Sequence, residues 1–151
     1  MATKQPSVAE DSVARTLDIV GDRWSFLILR EAFFGVKRFE ALQANLGIAT
    51  NVLSQRLRKL TAAGVFHRAP DPEDGRKRIY RLTEQGRDLY GVCLSLMAWG
   101  DRWLADTEGP PLVLTHRNCG APMQPVVVCS ECGEPLQARE VRYRLRDAKA
   151  R

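Results

Sequence analysis

Two groups of residues in this 151-residue chain have the types and spacing to do chemistry. The first is His116-x-x-Cys119, followed after nine residues by Cys129-x-x-Cys132. Two ligands three positions apart clasp one metal ion from a tight turn. A glycine after each pair, Gly120 and Gly133, relieves backbone crowding there. One imidazole and three thiolates suit a closed tetrahedral zinc site, one ion per chain, with no open position for a substrate and hence a structural role. Disulfides, or a ribbon that keeps its cysteines without metal, are the competing readings. The second group is Asn51, Ser54, Gln55, Arg58 and Lys59, which lie between Leu53, Leu57 and Leu60. Asn and Gln pair bidentately with adenine, Arg reads guanine or phosphate, and Ser bonds to either. Arg38 upstream and Arg76, Lys77 and Arg78 downstream add cations for phosphate.

The elements that must carry these residues follow from apolar spacing and breakers. Val13, Leu17 and Val20 predict a helix over 12–20 that Gly21 stops. Asp22 caps a second helix, 23–34, apolar around most of its circumference and therefore a core helix. Phe39, Leu42 and Leu46 mark a short helix over 38–46, broken at Gly47. Leu53, Leu57 and Leu60 mark another over 50–63, opened by Ala49 or Thr50. The pair reads as a helix-turn-helix, with the second helix turning its polar side outward. Segments 65–69 and 78–82 predict two strands around the Asp74-Gly75 turn, which makes a hairpin directly after the helix-turn-helix, the order of a winged helix. Thr83 caps a long helix reaching about Leu104, with two apolar stripes. One stripe holds Leu89, Val92, Leu96, Trp99 and Trp103; the other holds Tyr90, Leu94, Met97 and Leu104. A second apolar stripe calls for a partner, either a second subunit or the C-terminal appendage.

The predicted fold class is therefore mainly α with a small β-hairpin wing, plus a small zinc-ribbon-like β unit. Residues 1–11 form a flexible N-terminus, 12–106 the winged helix-turn-helix, 107–111 a linker and 112–151 the ribbon. In the ribbon, Val126–Val128 and Val141–Leu145 are expected as strands, and no internal repeat is evident. The appendage is too small for much core, so metal would supply its stability.

Composition narrows the function. A hydrophobic fraction of 44% with 27% charged residues is that of a globular chain. No run is apolar or long enough to span a membrane, and the N-terminus has no secretory pattern, so the expected compartment is the cytoplasm. The net charge of +5 is uneven: residues 35–83 hold 10 basic against 4 acidic groups, while the flanking segments 1–34 and 84–110 are net acidic. That pattern fits a polyanion-binding element. An enzyme fits poorly. Of two histidines, His116 is assigned to metal and His67 to a half-buried strand position, and no nucleophile elbow or phosphate loop occurs.

The run from Thr16 to Arg68 followed by DGRKRIYRLTEQGRDL resembles the HxlR-type winged helix-turn-helix transcriptional regulators. The resemblance spans about residues 12–104. It is carried by Gly21-x-x-Trp24, Leu27-Ile28-Leu29-Arg30, Arg38-Phe39, Leu53-Ser54-x-Arg56-Leu57, Gly64 and Tyr80-x-Leu82-Thr83-x-x-Gly86. It implies a homodimer held by the first and last helices of the region. Val13, Leu17, Leu89, Val92, Leu96, Trp99 and Trp103 are then the interface candidates. It also implies a major-groove helix 50–63 and a wing, with DNA contacts from Arg38, Thr50, Asn51, Ser54, Gln55, Arg58, Arg76, Lys77 and Arg78. Redox-sensing members place a cysteine just before the first helix. The matching residue here is Asp11, which excludes an oxidation switch at that position, and Cys93 reads as a small buried residue.

The leading expectation is a homodimeric regulator, in the repressor sense, of double-stranded DNA. The alternative is an RNA-binding or protein-docking module acting through the zinc ribbon. A hydrophobic pocket for an unidentified small-molecule effector could form at the dimer interface near Trp99 and Trp103, but packing is the first reading of those tryptophans.

Overall fold

A computed structural model describes residues 11–144. Its elements run α1 (Ser12–Val20), α2 (Arg23–Phe33), α3 (Phe39–Leu46), α4 (Thr50–Ala62), β1 (Phe66–Pro70), β2 (Arg78–Leu82) and α5 (Glu84–Trp103). The chain forms two compact units, divided within α5 between Cys93 and Leu94.

The first unit, up to Cys93, holds the core. Val20, Ile28, Leu29, Leu42, Ile48, Leu53, Leu57, Leu60, Val65 and Phe66 are buried together. They come from all four short helices, the first strand and the connecting residues Ile48 and Val65, and the three leucines of α4 fix which side of that helix is left for solvent. Truncating a core leucine such as Leu57 to Ala is worth about 2–5 kcal/mol.

Local chemistry sets the ends of these helices. The Asp11 carboxylate accepts the Ala14 N–H at 2.8 Å and starts α1. Asp22 starts α2 by accepting the Ser25 N–H at 3.0 Å and the Ser25 hydroxyl at 2.6 Å. Burial raises the Asp22 pKa, but the two Ser25 bonds and the charges of Arg56 and Lys59 outweigh it and leave the pKa below its usual value. Gly47 closes α3 in the left-handed region at φ 59° and sends the chain into α4. Ala49, not Thr50, holds the N-cap position of α4, without a side-chain cap. The Thr50 hydroxyl instead accepts from Gln43 Nε2 at 2.8 Å, a strut across the turn between the two helices.

The strands pair antiparallel, Phe66 opposite Leu82 and Pro70 opposite Arg78. β1 begins one residue later than expected, because Val65 still belongs to the junction. Its N–H donates to Leu60 at 2.9 Å and its carbonyl accepts from Thr83 N–H at 3.1 Å. A lone bridge between Arg38 and Ile79, with the Tyr80 N–H donating to the Lys37 carbonyl at 2.9 Å, ties β2 to the entry of α3. Thr83 opens α5 by accepting the Gly86 N–H at 3.0 Å while donating to the Gly64 carbonyl at 2.5 Å. α5 then packs on the first unit through Gly86, Leu89 and Cys93, and Phe33 meets Tyr90 at a ring separation of 4.9 Å. Leu89 thus serves this chain's own core, unlike the other residues of its stripe.

In the second unit the expected strands are not formed among the described residues. Val126, Val127 and Val128 are exposed, as are Val141 and Tyr143, and only the isolated bridges Thr115–Pro122 and Val128–Pro135 occur. Leu145, Arg146 and residues 1–10 lie outside the described residues.

Candidate nucleic-acid interface

α4 presents one side to the core and the other to solvent. Leu53, Leu57 and Leu60 are buried, while Thr50, Asn51, Gln55, Arg58 and Lys59 are exposed and Ser54 is half-buried. With 3.6 residues per turn, Asn51, Gln55 and Arg58 fall in one outward row. Arg56 is turned the other way: its Nε lies 3.3 Å from Asp22 Oδ1, an ion pair that anchors α4 to the start of α2. A row of amide and guanidinium groups with this spacing presents the donors and acceptors that base edges in a major groove require.

The wing carries the expected cations. Arg76, Lys77 and Arg78 are all exposed, and Arg76 touches only Asp74 of its own turn, at 3.5 Å. The Lys77 N–H donates to the Asp74 carbonyl at 2.8 Å, closing a four-residue turn in which Gly75 needs no positive φ. Arg81 is exposed on β2 as well, and Arg68 stacks over Tyr80 at 5.9 Å from the ring centre.

Arg38 is differently placed. It is the N-cap residue of α3, and its guanidinium is held by carboxylates from the wing. Nε donates to Asp71 at 2.6 Å and the terminal nitrogen reaches Asp71 at 3.2 Å and also Glu73. The hydrogen bond from Arg38 lowers the Asp71 pKa to about 2, helped by the Glu73 N–H. The two carboxylates push the Arg38 pKa up. Nothing in the local sequence pointed to Asp71, which lies 33 residues from Arg38; it was found only once the hairpin had folded back beside α3. A second network missed by sequence reasoning is Glu31, buried, which accepts from Arg30 at 2.8 Å and from Asn45 at 2.7 Å and so joins α2 to α3.

The remaining assigned residues sort as follows. Val13, Leu17, Val92, Leu96, Trp99 and Trp103 are exposed, from 44% at Val92 to 66% at Val13. Cys93 is buried, and burial raises its thiol pKa despite nearby Arg30, as suits a packing residue. His67 is exposed on β1 rather than half-buried. In the second unit Trp99 and Trp103 line a cleft of about 1090 Å³ with Leu112, Met123 and Val127. His116 Nδ1 stands 3.5 Å from Cys119 Sγ. The backbone N–H groups of Cys132 and Glu131, with the Cys132 side chain, lower the Cys129 pKa. Among the described residues no group of three or more His, Cys, Asp or Glu side chains converges on one metal position. Nor is any helix among them long and apolar enough to cross a membrane.

Comparison with known proteins agrees with this architecture. Residues 19–108 match the HxlR-like helix-turn-helix family. Rv3095 of Mycobacterium tuberculosis, named an uncharacterized HTH-type transcriptional regulator, is 51% identical over 131 residues, which are 87% of this chain and 83% of that protein. The crystal structure of PA1607, a candidate transcription factor, superposes with a TM-score of 0.82 at 38% identity, covering 90% of this chain and 95% of its own. That span is too long to be the winged helix alone. The reduced form of the redox regulator HypR matches less of the chain, 62%, with 96% of its own length, a TM-score of 0.54 and 31% identity. By the match over residues 19–108 and by these relatives, the chain belongs to the HxlR-like helix-turn-helix family of transcriptional regulators.

Proposed function

We propose that the chain is a homodimeric, sequence-specific regulator of double-stranded DNA, acting as a cytoplasmic repressor. The observation that carries this reading is the division of α4 into a buried leucine side and an outward row of Asn51, Gln55 and Arg58. In this reading α4 enters the major groove, Ser54 and Thr50 meet its edge, and Arg76, Lys77 and Arg78 bring the wing to the backbone or the adjacent groove. Exposed apolar residues on α1 and α5 support a second copy as the partner, since large apolar side chains left in water on two helices favour association. A two-fold dimer calls for half-sites about one helical turn apart.

The test is binding of the full chain to duplexes from upstream of its own and neighbouring genes, against random duplex, across a range of salt. Specific binding is expected to exceed random binding by about a thousandfold or more. Gln55→Ala is expected to cost about 1–3 kcal/mol on the preferred site and to relax the choice of base at one position per half-site. Lys77→Ala should weaken all sequences alike and flatten the salt slope by about one unit. Equal affinity for all duplexes at every salt concentration would overturn the reading.

A further inference from the structure

The second unit contains a short internal repeat, which corrects the expectation that the chain has none. Thr115–Met123 reads THRNCGAPM and Val128–Leu136 reads VCSECGEPL. Set thirteen residues apart, His116 falls on Cys129, Cys119 on Cys132, Gly120 on Gly133 and Pro122 on Pro135. The backbone repeats in the same register. The first ligand's N–H donates to the carbonyl five residues on, His116 to Ala121 at 3.0 Å and Cys129 to Glu134 at 2.9 Å. Each glycine N–H donates back to that ligand's carbonyl, Gly120 to His116 at 2.7 Å and Gly133 to Cys129 at 2.9 Å. Outside them, Met123 donates to Leu114 at 2.8 Å and Leu136 to Val127 at 2.9 Å. Both glycines are left-handed, with φ of 71° and 76°, so each loop needs the residue it has.

Two further observations give these clasps a ligand. First, no described residue after Cys93 is buried, so the unit has no apolar core to hold it together. Second, the separation of 3.5 Å between His116 Nδ1 and Cys119 Sγ matches a tetrahedral edge. Zinc bonds of about 2.3 Å to sulfur and about 2.0–2.1 Å to nitrogen set such an edge at about 3.6 Å. Three cysteines beside a histidine also cannot all be satisfied by disulfides, whereas they complete a closed zinc site.

We propose that each chain binds one zinc ion through His116 Nδ1 and the sulfurs of Cys119, Cys129 and Cys132, and that this ion joins the two clasps into one folded unit. Among the described residues His116 and Cys119 make one close pair and Cys129 and Cys132 another, and no three of these donors converge, so binding has to draw the two clasps together. Binding forms three zinc–sulfur bonds and one zinc–nitrogen bond and releases the three thiol protons to solvent. Coordination through Nδ1 leaves the ring proton of His116 on Nε2. The site is closed and structural, and it is independent of what α4 binds.

The test uses the full chain, reduced and loaded with zinc. Metal analysis is expected to give one zinc per chain. Cobalt substitution is expected to give tetrahedral visible bands with thiolate charge transfer. With only two histidines in the chain, long-range proton–nitrogen correlation of the loaded protein is expected to show His116 protonated on Nε2. Cys129→Ser and Cys132→Ser should each lower zinc affinity by at least about a hundredfold. The helical circular dichroism of residues 12–103 should persist in both, and Cys93→Ser should bind zinc fully. Absence of zinc after reduced loading, two ions per chain, six-coordinate cobalt, or a proton on His116 Nδ1 in the loaded protein would each overturn the proposal.

Discussion

Arg38 meets a competition that Gln55 and Arg58 do not. The latter two have solvent on their outward side, but a phosphate approaching Arg38 must compete with Asp71 and Glu73. The two carboxylates differ: the Asp71 side chain is 2% exposed and that of Glu73 is 78% exposed. Asp71 therefore orients the guanidinium, and Glu73 is the partner that a phosphate can replace. Glu73→Gln removes that rival and one negative charge beside Arg38, and under the proposed reading it is expected to tighten binding to every duplex by up to about fivefold. Fluorescence anisotropy at two salt concentrations checks this, and unchanged affinity would mean that Arg38 does not reach the backbone. Acid acts on the same latch. The Asp71 pKa is about 2 in the fold, below the value of about 3.9 for a free aspartate. The folded value is the lower one, so the contact stabilises above about pH 4 and its contribution is lost as pH falls toward about 2. A carbon-detected NMR titration should place the Asp71 midpoint near 2, and a midpoint near 4 would show the latch open in solution.

At the scale of elements, α5 is attached to the winged helix mainly through its first turns, and Gly86 is the closest point. A Cβ added there would lie 2.2 Å from the Val65 carbonyl oxygen and 3.0 Å from Leu82 Cδ2. Backbone cannot yield as a flexible side chain can. Gly86→Ala should therefore destabilise by about 1–3 kcal/mol, although alanine alone favours a helix by about 1 kcal/mol. Chemical denaturation followed at the helix signal measures it, and a stabilised variant would refute the close approach. What could be read from sequence divides along the same line between local and non-local causes. Asp22, Gly47 and Thr83 announced helix ends because a cap or a left-handed glycine acts within a few residues. The leucine spacing of α4 announced its outward row for the same reason. The Ala49 cap was ambiguous because the competing Thr50 hydroxyl is taken by Gln43 on another helix. The Arg38–Asp71 pair required the hairpin to be folded first. The tail's valines suggested strands by composition, yet a strand needs a neighbour, and each clasp supplies a single bridge.

At the scale of the molecule, the exposed apolar side chains of α1 and α5 bear on the proposed dimer. Val13 and Leu17 on α1, and Val92, Leu96, Trp99 and Trp103 on α5, are all exposed, whereas Leu89 beside them is already used by the chain's own core. Burying a Leu or Val side chain is worth about 1.5–3 kcal/mol, so a few such contacts made twice by symmetry offset much of the cost of association. Leu96→Glu replaces an exposed side chain of α5 by a charge, within the interface proposed above. The variant is expected to keep its helical circular dichroism and to sediment as a monomer. It should bind a single half-site as the parent subunit does, but lose the gain from holding two half-sites at once, about a hundredfold or more on a full operator. The two measurements separate the causes. Loss of half-site binding would mean that the helix-turn-helix itself was damaged. A variant that remains dimeric with full operator affinity would move the interface away from α5, leaving Trp99 and Trp103 to the cleft they line in the second unit.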